Sequence, residues 1–133
     1  MAKRMTKAEL QASLGAFNPV GHAVLAFGSD AVAAEAKQAL IGAGFADQDI
    51  LAFTSAELFG DLNEMLRNVS DAAGFGYEIN LMRRYVTLAG EGCGWLVVYA
   101  PEEEQIKSIV AVAKRFAAKS AVHYGRLASE DLN

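Results

Sequence analysis

The densest run of chemistry-bearing positions is Gly90–Glu91–Gly92–Cys93–Gly94. Glycine-rich loops cradle phosphates when they follow a strand and open a helix, because backbone N–H groups then converge at the helix N-terminus. Here the predicted order is helix first and strand second. That order turns the negative end of the helix toward the loop, so the run reads as a glycine cap and a tight turn. No phosphate-loop signature ending in Gly-Lys-Ser or Gly-Lys-Thr occurs. Cys93 is the single cysteine. A nucleophilic thiol needs a nearby base and a lowered pKa, whereas the neighbouring Glu91 disfavours the thiolate. Cys93 is therefore expected to be a small, partly buried residue at a strand start. No catalytic residue is assigned, and an enzyme is the less favoured class.

The two histidines, His22 and His123, fall in the first and last predicted strands. A metal ion would need further ligands, but there is no third histidine and the carboxylates cluster elsewhere. Neither a metal nor a cofactor is expected. With Tyr85 and Trp95, however, His22 and His123 are candidates to line a small-molecule pocket between a sheet and an inserted pair of helices. Arg83–Arg84, with Arg67 on the preceding helix, offers an anion site, or pairs with Glu64, Asp71 and Glu78 on a solvated face. The second use is the ordinary one. Glu102–Glu103–Glu104 follows Pro101 and reads as helix-start electrostatics. Adjacent helical carboxylates point in different directions and make a poor metal cage.

The elements that must position these residues follow from apolar spacing. Thr6-x-x-Glu9 has capping-box spacing and predicts a short helix from Lys7 to Leu14, ended by Asn18–Pro19. His22 to Phe27 reads as a strand closed by Gly28–Ser29–Asp30. Val32, Ala36, Ala39, Leu40 and Ala43 form a helical face ending at Gly42 and Gly44. Ile50 to Phe53 is a second strand. Thr54-x-x-Glu57 opens a helix whose stripe runs through Leu58, Leu62, Met65, Leu66 and Val69. A further helical piece spans Tyr77 to Leu88, and Trp95 to Ala100 is a third strand. A helix starting at Pro101 carries Ile106, Ile109, Val110, Ala113, Phe116 and Ala117 on its buried side. Ala121 to Tyr124 is the last strand, and Ser129 to Asn133 reads as a polar tail.

The 133 residues suit a single domain, 1–133, with an N-terminal helix and linker over 1–20 and a helical insertion over 55–89. A hydrophobic fraction of 53% supports a real core and excludes intrinsic disorder. The formal net charge of −4 argues against a nucleic-acid partner, since phosphate contacts need a basic face. No apolar run approaches the roughly 20 residues of a membrane span, and no signal-type segment follows the basic start. A cytoplasmic location with no membrane partner is the expectation.

Two stretches share a pattern. Val24–Leu25–Ala26–Phe27 aligns with Leu96–Val97–Val98–Tyr99, and Ile50–Leu51–Ala52–Phe53 with Ala121–Val122–His123–Tyr124. The chain thus reads as two strand–helix–strand units separated by the insertion Ser55 to Ala89. This predicts an α+β fold of ferredoxin-like split βαβ type, with a two-helix insertion between strands 2 and 3. A doubly wound parallel sheet is the competitor.

The opening strand and helix, Val24 to Gly44, followed by Phe45 and Ile50, resemble the general stress protein 17M-like group. So do the Gly94–Trp95–Leu96–Val97–Val98 strand and the closing Ala121–Val122–His123–Tyr124–Gly125. The resemblance spans most of Ala23 to Gly125. It implies a small ferredoxin-like domain with a stress-linked or regulatory role, and it supplies no catalytic residues. The insertion departs from it.

Trp95, Leu96, Val97, Val98 and Tyr99 show no polar side, so both faces of this strand demand burial. Two crossover helices cover one face. The other is expected to be covered by the insertion or by a second copy of the chain. A self-associating homo-oligomer without enzymatic activity is the first functional expectation, and a small-molecule-binding domain is the second. Met65, Met82, Phe59, Tyr77 and Tyr85 on the insertion supply apolar surface for either.

Overall fold

The computed structural model describes residues 20–60, 77–125 and 129–132. The N-terminal helix expected over Lys7 to Leu14 lies outside these, as do Leu62, Met65, Leu66 and Val69 of the stripe that Leu58 begins. The protein is a mixed α+β fold around one antiparallel sheet. Its elements are β1 (His22–Phe27), α1 (Asp30–Gly42), a 3-10 turn (Asp47–Asp49), β2 (Ile50–Phe53), α2 (Tyr77–Gly90), β3 (Gly94–Tyr99), α3 (Glu103–Arg115), β4 (Ser120–Tyr124) and β5 (Ser129–Asp131). Residues 55–60 are helical as well.

The strand order is β2-β3-β1-β4-β5, and every pairing is antiparallel. A doubly wound parallel sheet is excluded. The segment read as a polar tail forms β5 instead. Its backbone pairs with β4, and Leu132 donates its N–H to Ala121 O and packs into the core. One leucine among polar neighbours gives no period-two signal, so the pairing was invisible in the sequence. Pro101 also lies before the third helix rather than inside it. Glu102 is the N-cap, with a reciprocal box to Gln105. Phe116 and Ala117, expected on the helix's buried side, lie just past its end.

Period-two alternation sorts the strand residues onto two faces. Ala23, Leu25, Phe27, Leu96, Val98 and Ala121 pack with Ala33, Ala36 and Leu40 of α1 and with Ile109 and Val112 of α3. Val24, Ala26, Phe53, Trp95, Val97, Val122 and Tyr124 pack on the opposite side with Leu58 of the 55–60 helix and with Tyr85, Leu88 and Ala89 of α2. The chain therefore covers its second sheet face with its own inserted helices. Strand β1 is buried along its whole length.

Helices α1, α2 and α3 end in the same hydrogen-bonded geometry, in which the two residues past the cap reach back to carbonyls of the last turn. For α1 these bonds are Gly44 N–H to Ile41 O and Phe45 N–H to Leu40 O; for α2 they are Gly92 N–H to Ala89 O and Cys93 N–H to Leu88 O. Gly44 and Gly92 take the required positive φ, at 111° and 97°. At the end of α3 the same place is held by Ala117, with φ 52° and its N–H on Lys114 O. An alanine in the left-handed region costs about 1 kcal/mol relative to glycine. Ala117→Gly is expected to stabilise the protein by roughly 0.5–1 kcal/mol, read as a melting temperature higher by a few degrees. A lowered melting temperature would contradict this account of the turn.

Candidate functional site

The four residues singled out as ligand-lining divide between the faces. His22, Tyr85 and Trp95 lie on the side roofed by α2, while His123 lies on the side of α1 and α3. The cause is register. Ala23, not His22, stands opposite His123 across β1 and β4, and directly paired residues share a face. The histidines are on neighbouring strands, as expected, but a one-residue stagger sends their rings to opposite sides. They cannot share an ion, and among the described residues no group of histidine, cysteine and carboxylate side chains fits a metal.

Each ring is instead tied to the backbone. His123 is buried and places Nε2 2.9 Å from Ala100 O. A carbonyl only accepts, so Nε2 carries the proton there. His22, also buried, places Nδ1 3.1 Å from Val20 O and packs against Tyr99 with ring centroids 5.1 Å apart. Both contacts fix strand ends, and His123 is withdrawn from the candidate site.

Under the roof, Tyr85 and Trp95 meet edge to face, with centroids 5.1 Å apart and planes inclined by 73°. Tyr85 projects from the middle of α2 and Trp95 from the second residue of β3. The Tyr85 hydroxyl lies 2.9 Å from that of Tyr124, so one donates to the other. Tyr124 was not singled out from sequence. Its place beside Tyr85 depends on the two-face alternation of β4, in which Val122 and Tyr124 face the roof. Trp95 is fully buried, yet its Nε1 has no hydrogen-bond partner. An indole N–H is a donor only. Leaving it unpaired in the interior costs about 1–3 kcal/mol.

The remaining candidates behave as ordinary structure. Cys93 is buried next to Leu88 in the roofed core. Burial pushes its thiol above the ordinary value, Glu91 pushes it the same way, and Lys119 partly opposes them. The thiol is therefore protonated at neutral pH. Alkylation of the folded protein by iodoacetamide is expected to be slow at neutral pH and to quicken as pH rises above the usual thiol range. Unfolding should make it fast. Rapid labelling of the folded chain at neutral pH would contradict this. The Gly90–Gly94 run is the end of α2 and the turn into β3, which offers no phosphate cradle. Arg83 and Arg84 are exposed, and Arg84 donates to Lys119 O at 3.1 Å. Arg67 lies outside the described residues. The Thr54 and Glu57 capping box forms in both directions. A shallow, open groove of about 210 Å³ lies between Gly44 and Phe45 at the end of α1 and Glu104, Gln105 and Ser108 of α3. None of the expected residues lines it.

No protein-family model, curated protein or solved structure matches this chain. Among the described residues, no helix is long and apolar enough to cross a membrane.

Proposed function

We propose that the protein is a ferredoxin-like split βαβ domain whose insertion has become a roof, and that it binds a small molecule between roof and sheet without catalysing a reaction. The strand order β2-β3-β1-β4 with α1 and α3 on one face supports the fold reading. The single observation that carries the binding reading is the buried, unpartnered Nε1 of Trp95 beside the Tyr85–Tyr124 hydroxyl pair. Apolar enclosure with a few polar groups is the usual make-up of a small-molecule site. A stress-linked or regulatory role in the cytoplasm fits the resemblance to the general stress protein 17M-like group.

The second sheet face calls for cover either by the insertion or by a second copy of the chain, and self-association is the second of these. With α2 and the 55–60 helix on that face, a second copy is no longer needed there, and the homo-oligomer reading has less support than the binding one.

Native mass spectrometry of gently purified protein tests the proposal. The expected result is a bound compound lost on denaturation, with the stripped protein melting several degrees lower until the compound is restored. A bare chain whose melting is the same before and after refolding would overturn it.

A further inference from the structure

We infer that α2 is a lid, hinged where it enters β3 and latched on β4, which swings open over Trp95 as an intact helix. Its two attachments stand on different strands, and β1 lies between those strands in the sheet. The hinge is the turn Gly90–Glu91–Gly92, through which the chain leaves α2 for β3. Gly92 has φ 97° and nothing within 4 Å of an added Cβ, so the turn has both backbone freedom and room to move. The latch lies across the sheet. There the Tyr85 hydroxyl meets that of Tyr124 at 2.9 Å, and the exposed Arg84 donates to Lys119 O at 3.1 Å, just before β4.

A third observation supplies the reason to open. Nε1 of Trp95 has no partner in the closed protein, and its side chain is fully buried, so an acceptor reaches it only when the roof moves. Opening lets water accept from the indole, which offsets part of the cost of uncovering Tyr85, Leu88 and Val97. The closed form still dominates, because those side chains are apolar and buried.

The neighbouring covers of the sheet lack this freedom. Helix α1 starts against Gly94, where even a methyl group would stand 2.6 Å from Asp30 Cα. The 55–60 helix is tied to that same start, with the Ser55 N–H on Asp30 Oδ1 at 2.9 Å. The moving part is therefore α2 alone. The lid is a property of the chain itself and does not depend on the binding proposal.

Native-state hydrogen exchange on the full chain, read by magnetic resonance, tests this. Trp95 is the only tryptophan, so its indole N–H gives a single nitrogen–proton resonance. In ligand-free protein that N–H is expected to exchange at least about tenfold more readily than the backbone amides of Val24, Leu25 and Ala26 in β1, each rate being corrected for its intrinsic chemistry. The α2 amides from Tyr85 to Ala89 should exchange more slowly than the indole, because a swinging helix keeps its own hydrogen bonds. Tyr124→Phe removes one half of the latch and should speed the indole exchange roughly fivefold, with the α2 amides still slower. If this variant does not fold, the comparison in the unaltered protein decides. An indole that exchanges only together with the β1 amides, in global unfolding, would overturn the lid. So would α2 amides that exchange along with the indole, since the helix would then be unravelling. An indole rate left unchanged by Tyr124→Phe would overturn the latch and the lid with it.

Discussion

Gly94→Ala is expected to destabilise the protein by about 3 kcal/mol, lowering the melting temperature by roughly 10 °C. Gly94 opens β3 opposite Phe27, directly beneath the first turn of α1. A Cβ there would stand 2.6 Å from Asp30 Cα, 2.7 Å from Ser29 O and 2.9 Å from Ala33 Cβ. The first two are backbone atoms at a capped helix start, where the Ser29 hydroxyl accepts from Val32 N–H at 3.1 Å. They cannot swing aside as a flexible side chain would. Relief would require lifting α1 off the sheet and uncovering Ala33 and Ala36, both buried. Gly42 is the internal control. It lies at the far end of the same helix, with nothing within 4 Å of an added Cβ. Gly42→Ala should leave the melting temperature unchanged or raise it slightly. Equal effects at the two glycines, measured by thermal or denaturant unfolding, would contradict the close approach of β3 and α1.

The second large effect belongs to Trp95. In ligand-free protein, Trp95→Ala should cost about 3–5 kcal/mol, since it empties the largest buried side chain from the roofed core. Trp95→Phe should cost far less, about 1 kcal/mol or below. The smaller ring loses contact area, but the change also removes a donor whose burial without a partner costs about 1–3 kcal/mol. The two losses offset one another. Denaturant midpoints at constant slope would show the ordering. A Phe variant as unstable as the Ala variant would mean that Nε1 contributes a bond after all.

Much of the architecture was legible in the sequence because the strands are short, apolar and sharply punctuated. Two strands, His22–Phe27 and Ile50–Phe53, have the bounds their residues suggested, and β3 and β4 differ from theirs by no more than a residue at either end. The demand for burial on both sides of β3 was readable from five consecutive apolar residues. Two features were not. Strand β5 is three residues long and draws its stability from an edge it meets only in three dimensions. The separation of His22 from His123 depends on stagger between two strands, which no single-strand pattern encodes. The candidate site was half visible. Tyr85 and Trp95 stood out by residue type, whereas the hydroxyl partner Tyr124 and the unpaired Nε1 exist only once β3, β4 and α2 are assembled.

The account rests most heavily on the chain roofing its own sheet over Trp95. Acrylamide quenching of the single tryptophan, followed as the protein is diluted from micromolar to nanomolar concentration, tests this directly. A roof built from the same chain keeps the indole shielded at every dilution. Shielding lost as the protein is diluted would assign the cover to a second molecule, and ready quenching throughout would mean that this face of the sheet is open.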